Sequence, residues 1–162
     1  MVKRHIKSYH VATYNPKRHT IYTPLNEEKY KGKEFPVARS NWETKFCEFC
    51  DTATNVISWS SESVRIPYYD TLRRKSRLYF PDFTMTVKEQ NGKLQNYMVE
   101  IKPFEQTMPP KRNEMSERTY MTRFVEFQTN LAKWKAAQTF CRKYGLIFKI
   151  LTEKDLFKDG VK

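Results

Sequence analysis

Two carboxylates and a lysine stand where neighbouring strands would bring them together. Asp82 follows Pro81 in the segment YFPDFTMTV, and Glu100-Ile101-Lys102 ends the segment NYMVEIK. Residues two apart on a strand share a face about 6–7 Å apart, so Glu100 and Lys102 project to one side. An antiparallel neighbour carrying Asp82 adds a second carboxylate beside them. Such a cluster is costly unless a cation joins it. Mg²⁺ suits it, because that ion takes one or two carboxylates, keeps several waters and accepts phosphate oxygens; Mn²⁺ is expected to substitute. The chemistry that fits is hydrolysis of a phosphate ester. Lysine and cation would offset the charge that grows in the transition state, and the lysine would orient or help deprotonate the attacking water.

The elements that must position these residues are legible around them. Ser40 is a good N-cap, and Trp42, Phe46, Phe49 and Ala53 follow i, i+4, i+7, i+11 spacing, which predicts a helix over 41–53. Strands are expected over 56–60, 64–69 and 78–87. Asn91-Gly92 marks a hairpin turn, and the returning strand spans 96–102. Pro103, Pro109 and Pro110 mark an irregular connection. Tyr120, Phe124, Phe127, Leu131, Trp134 and Cys141 trace an apolar stripe on a helix over 116–143, closed by Gly145. That stripe reads as core, not as a platform for stacking bases. A strand over 146–151 and a short helix opened near Thr152 follow. The fold class is therefore α/β (α+β), a four- to five-stranded mixed sheet flanked by helices.

The chain has 162 residues, enough for one ordinary domain, and its 39% hydrophobic and 15% aromatic content excludes global disorder. Thirty Lys and Arg against eighteen Asp and Glu give a net charge of +12. Such an excess calls for a polyanionic partner, most simply DNA. No run of about 18 apolar residues would span a membrane. The basic N-terminus lacks the apolar stretch of a secretory signal, and three cysteines suit a reducing compartment. Residues 1–39 read as an irregular basic arm and residues 40–162 as one domain. Lys3, Arg4, Lys17 and Arg18 of the arm are expected to contact phosphates. So is the cluster Arg73, Arg74, Lys75 and Arg77, which directly precedes the strand carrying Asp82. The three histidines (His5, His10, His19) read as solvated or phosphate-contacting. Cys47 and Cys50 read as core residues, because zinc would need two further ligands. Nothing reads as a base-specific recognition helix, so backbone and DNA structure should be recognised rather than sequence.

Pro81-Asp82 followed by Glu100-x-Lys102, between a preceding helix and a later long helix and strand, resembles the PD-(D/E)XK nuclease superfamily over residues 40–151. The resemblance implies a restriction-endonuclease-like core, with Asp82 and Glu100 holding metal and Lys102 catalytic. In that superfamily a glutamate on the preceding helix often completes the metal site, and Glu43 is placed for it. Ser40-x-x-Glu43 is also a formal capping box, which is the rival reading of Glu43. Within the superfamily the pattern is similar to the TnsA-type transposase endonucleases and to the head-completion nucleases of T-even-like tailed phages. The short chain and basic arm favour the second group; TnsA-type enzymes often carry Gln where this chain has Glu100. The resemblance implies an Mg²⁺-dependent endonuclease with little sequence specificity that processes packaged DNA ends. It would act in the host cytoplasm or with the virion, alongside portal or neck proteins and without a small-molecule cofactor. The alternatives are an endonuclease of transposon ends or junctions, and a non-catalytic DNA-binding capsid–portal assembly protein with a relic site.

Overall fold

The computed structural model describes residue 15 and residues 17–156; Lys3, Arg4, His5 and His10 lie outside the described residues. In chain order the elements are β1 (Thr20–Ile21), β2 (Val37–Ala38), α1 (Asn41–Thr52), β3 (Val56–Ser61), β4 (Ile66–Asp70) and β5 (Lys75–Tyr79). They continue with β6 (Phe83–Lys88), β7 (Leu94–Ile101), α2 (Glu117–Tyr144), β8 (Ile147–Leu151) and α3 (Glu153–Leu156). The main sheet is four-stranded in the order β3-β6-β7-β8. Its first three strands are antiparallel, whereas β8 returns parallel to β7. A parallel neighbour needs a crossover, and α2 supplies it. The sheet is therefore mixed, as expected.

Each face of the sheet has its own core. Against one face α1 packs Phe46, Cys47 and Cys50 onto Val56, Trp59, Phe83, Val99 and Ile101. On the other, Ala137 and Cys141 of α2 meet Met98 of β7 together with Ile66, Tyr68 and Tyr79. Cys47 and Cys50 are both fully buried, and burial pushes the Cys47 thiol up to about 12. They are core residues. Gly145 closes α2 at φ 69°, the left-handed position that glycine adopts without strain.

Two expectations are corrected here. The strand over 78–87 is broken: β5 ends at Tyr79 and β6 starts at Phe83, with Pro81 between them. Proline has no N–H for the ladder, so one continuous strand does not cross it. The strand over 64–69 is β4, and it pairs with β5 in a separate hairpin rather than joining the main sheet. The apolar stripe of α2 is also core only towards its C-terminal end. Trp134 and Cys141 are buried with Asn130 and Ala137, while Tyr120, Phe124 and Phe127 are half-buried and Leu131 is exposed. A helix of 28 residues is about 42 Å long at 1.5 Å per residue, and it outruns the sheet it packs against.

The described part of the basic arm is not loose. Asp51, fully buried at the end of α1, accepts hydrogen bonds from the Tyr22 hydroxyl (2.9 Å) and the Leu25 and Asn26 amides (2.6 and 3.1 Å). Lys29 donates to the carbonyls of Asp51 and Ala53, which helix geometry leaves unpaired. The chain then runs along the outer edge of β3, where the Trp59 amide donates to Lys29 and the Lys31 amide to Trp59. This covers an edge strand that would otherwise offer unpaired groups. Replacing Asp51 with Ala strands several buried donors, so Asp51→Ala should destabilise the protein by about 2–4 kcal/mol. Limited proteolysis should then cut within 17–30 well before the rest of the domain. Unchanged melting and protection would refute the anchoring role.

Candidate active site

The register of the hairpin β6–β7 builds the site. Phe83 pairs with Val99, so one step further places Asp82 opposite Glu100. Val99 and Ile101 point into the α1-side core and Met98 into the α2-side core. Alternation therefore sends Glu100 to the α2 side, and Lys102 continues that row. The Lys102 amide donates to Leu151 of β8 (2.9 Å), which fixes the backbone from which its side chain leaves.

The contacts among these groups are short. Lys102 Nζ lies 3.0 Å from Glu100 Oε1, and the Tyr79 hydroxyl donates to Glu100 Oε2 at 2.5 Å. Asp82 Oδ2 accepts the Ile101 amide at 2.7 Å. Glu100 is 2% exposed, a carboxylate taken out of water between a tyrosine and a lysine. Burial, then the charges of Glu100 and Glu43, hold the Asp82 carboxyl well above its usual range, against the opposing pull of Lys102 and the Ile101 amide. Burial pulls Lys102 down, but Glu100 and Asp82 outweigh it and its pKa is raised. The three predicted residues are thus one coupled group.

Glu43 is placed differently. Its Oε2 accepts the Arg39 amide (2.9 Å) and its Oε1 the Ser40 hydroxyl (3.1 Å), while Ser40 Oγ accepts the Glu43 amide (3.2 Å). The capping role is the one its oxygens perform. Its charge still reaches Asp82 and Lys102. Among the described residues no three His, Cys, Asp or Glu side chains converge on one point. The donors for a cation are therefore the facing pair Asp82 and Glu100. Their mutual repulsion is what a divalent ion would relieve, and an ion that keeps most of its water, as Mg²⁺ does, fits so small a set.

A family comparison matches residues 53–153 to the TnsA-like endonuclease N-terminal domain, a span that contains Asp82, Glu100 and Lys102. The chain belongs to the TnsA-like endonuclease family. It is also 37% identical over 146 residues to the head completion nuclease of Enterobacteria phage T4, covering 87% of this chain and 95% of that protein. Glu43, which caps α1, lies outside the span matched to the TnsA-like domain.

Other residues enter the TnsA-like site that sequence pattern did not reveal. Tyr79 holds Glu100, and only its place three residues before Asp82 hinted at it. Lys133 of α2 sits with its ammonium 5.7 Å from the Tyr79 ring centroid. Burial lowers its pKa, against the opposing charge of Glu100. Glu62, in a left-handed conformation at φ 45°, donates its amide to the Asp82 carbonyl (3.0 Å) and pairs through its carboxylate with Arg39. Arg39 Nη2 to Glu62 Oε2 is 3.1 Å. Nothing in the sequence pattern marks that brace. Of the expected phosphate contacts, Lys17 and Arg18 are exposed in a turn. Arg73 and Arg77 lean on the buried Asp70, at 3.0 and 3.6 Å. Arg74 and Lys75 are exposed at the hairpin tip.

Proposed function

We propose that this protein is a divalent-cation-dependent DNA endonuclease of low sequence specificity that trims packaged DNA ends as phage heads are completed. The observation that carries the reading is Asp82 facing Glu100 across β6–β7, with Lys102 3.0 Å from Glu100. Kinship with the T4 head completion nuclease supports the setting, and membership of the TnsA-like family supports the chemistry. Mg²⁺, held by Asp82 and Glu100, would supply positive charge against the charge that grows at phosphorus. Lys102 would present its ammonium to the reacting phosphate or the attacking water. Tyr79 keeps Glu100 aimed, through the hydroxyl at 2.5 Å. Lys133, Arg74 and Lys75 would hold flanking phosphates, contacts that carry no sequence information. The work would be done in the host cytoplasm at the filled head, with portal or neck proteins nearby.

Nicking of supercoiled plasmid with Mg²⁺ or Mn²⁺, abolished by EDTA, is the expected result. Cleavage sites mapped on several unrelated DNAs should share no sequence. A shared recognition sequence would favour the transposon-end reading, and binding without cleavage would favour the relic.

Glu43 has its own test. Glu43→Gln keeps one acceptor at the helix cap and removes the charge that Asp82 feels. Cleavage should fall at least about tenfold, the range seen when groups beside a metal site are altered. The melting temperature should fall only about 2–4 °C, the cost of roughly 1 kcal/mol. Unchanged cleavage would leave Glu43 a cap alone.

A further inference from the structure

The hairpin β4–β5 has two unlike faces. Its inner row, Ile66, Tyr68 and Asp70, is buried, and Ile66, Tyr68 and Tyr79 form one cluster with Met98 and the α2 residues Ala137 and Cys141. Its outer row is not covered. Pro67 is exposed, Tyr69 is 56% exposed and Leu78 55%, and Leu72 at the tip is 46% exposed. Pro67 pairs with Leu78 and Tyr69 with Ser76, so Tyr69 and Leu78 are diagonal neighbours on that face. Diagonal pairs stand about 7–8 Å apart, close enough for an aromatic ring to make a continuous apolar strip.

The strip is rigidly held and basic at its rim. Buried Asp70 accepts the Arg73 amide and guanidinium, both at 3.0 Å, and Arg73 also reaches Thr129 of α2 at 3.4 Å. Between residues 65 and 80 the cations are Arg65, Arg73, Arg74, Lys75 and Arg77, and the single carboxylate is Asp70. What fits such a surface is an anion that also offers flat apolar faces. The strip begins one residue before Tyr79, whose hydroxyl holds Glu100, so a substrate at the site passes over it.

We infer that the outer face of β4–β5, built on Tyr69, Leu72 and Leu78, receives unpaired or terminal bases of the DNA whose backbone lies at Asp82 and Glu100. An intact duplex buries its base faces by stacking and presents charged grooves, so it offers this strip nothing. An end, a fork or a flap exposes them. Aromatic and apolar side chains beside a basic track are how unpaired bases are bound without sequence preference. The inference rests on the nuclease reading and deepens it, by naming disrupted DNA structure as the preferred substrate.

The test measures binding in EDTA of fluorescent forked and fully paired duplexes of the same length, the paired one closed by hairpins at both ends. Wild-type protein should prefer the fork by about tenfold, the equivalent of one stacked base at about 1.4 kcal/mol. Tyr69→Ala/Leu78→Ala should abolish that preference, while Tyr69→Phe keeps it. Both residues are exposed, so the melting temperature should move little and the variant can be compared folded. No wild-type preference, or a preference that survives the double alanine variant, overturns the inference. Sedimentation of both proteins covers the other occupant: a wild-type dimer that the double variant converts to monomer makes this face a self-interface and also overturns it. Plasmid nicking with Mg²⁺ separates the two readings. A wild-type protein that nicks but shows no fork preference retires the base-binding face alone, and one that never nicks retires the nuclease reading.

Discussion

Lys102→Ala should bind metal and DNA and yet turn over about 10²–10³-fold more slowly. That range is what removing one preoriented charge or donor from a transition state costs. The argument is local. Lys102 Nζ is 3.0 Å from Glu100, and its backbone is fixed by the bond to Leu151, so truncation leaves strand and carboxylates in place. Removing the ammonium leaves Glu100 less compensated, so Mg²⁺ affinity, read by calorimetry, should hold or rise. Single-turnover cleavage at saturating DNA isolates the step. A normal rate with normal metal binding would remove Lys102 from the chemistry.

Asp82→Asn should make the metal-free protein more stable and the enzyme inactive. Asparagine keeps an acceptor for the Ile101 amide, now at 2.7 Å from Asp82, but not the charge that Glu100 and Glu43 repel. The pH dependence has a definite sign. The unfolded chain loses this proton near the ordinary value of about 3.9, whereas the folded carboxyl holds it to higher pH. The stability contributed is therefore fully present below about 3.9 and is lost as pH rises through the raised folded value. In EDTA, wild-type melting temperature should fall more steeply than that of Asp82→Asn between about pH 5 and pH 8. At the upper end the variant should melt higher, by about 2–4 °C for each kcal/mol of repulsion relieved. Mg²⁺ should raise the wild-type value at that pH and leave the variant's unmoved. Cleavage should drop on the order of 10³-fold, the equivalent of about 4 kcal/mol of lost charge stabilisation. Parallel pH profiles in EDTA, or cleavage by the variant, would sink the assignment.

What the sequence made legible was whatever depends on short spacing. Glu100 and Lys102 share a face because strands have period two. Asp82 reaches them because the hairpin register is set by a short turn around Asn91-Gly92. The cap at Ser40 and the stop at Gly145 follow from local backbone demands alone. What escaped depends on contacts between distant segments. Tyr79 and Lys133 come to Glu100 from β5 and α2, and no periodicity within either announces it. The strand over 78–87 looked continuous because its apolar content hid the effect of Pro81. The long helix showed an apolar stripe throughout, but a stripe does not say how far its partner surface extends. Glu43 was legible in both its roles, and the competition between them is settled by hydrogen bonds to Arg39 and Ser40 that only three-dimensional geometry supplies.

The bond from Lys102 to Leu151 joins a central residue to one near the far end of the described chain, across the whole of α2. During synthesis the ribosome releases Asp82, Glu100 and Lys102 long before the strand that braces them. Until β8 emerges, β7 is a bare edge and the lysine hangs from an unsupported strand end. The cutting machinery thus comes into register last, when translation is nearly over, and a half-made chain beside its host's chromosome carries the reactive side chains without the frame that aims them.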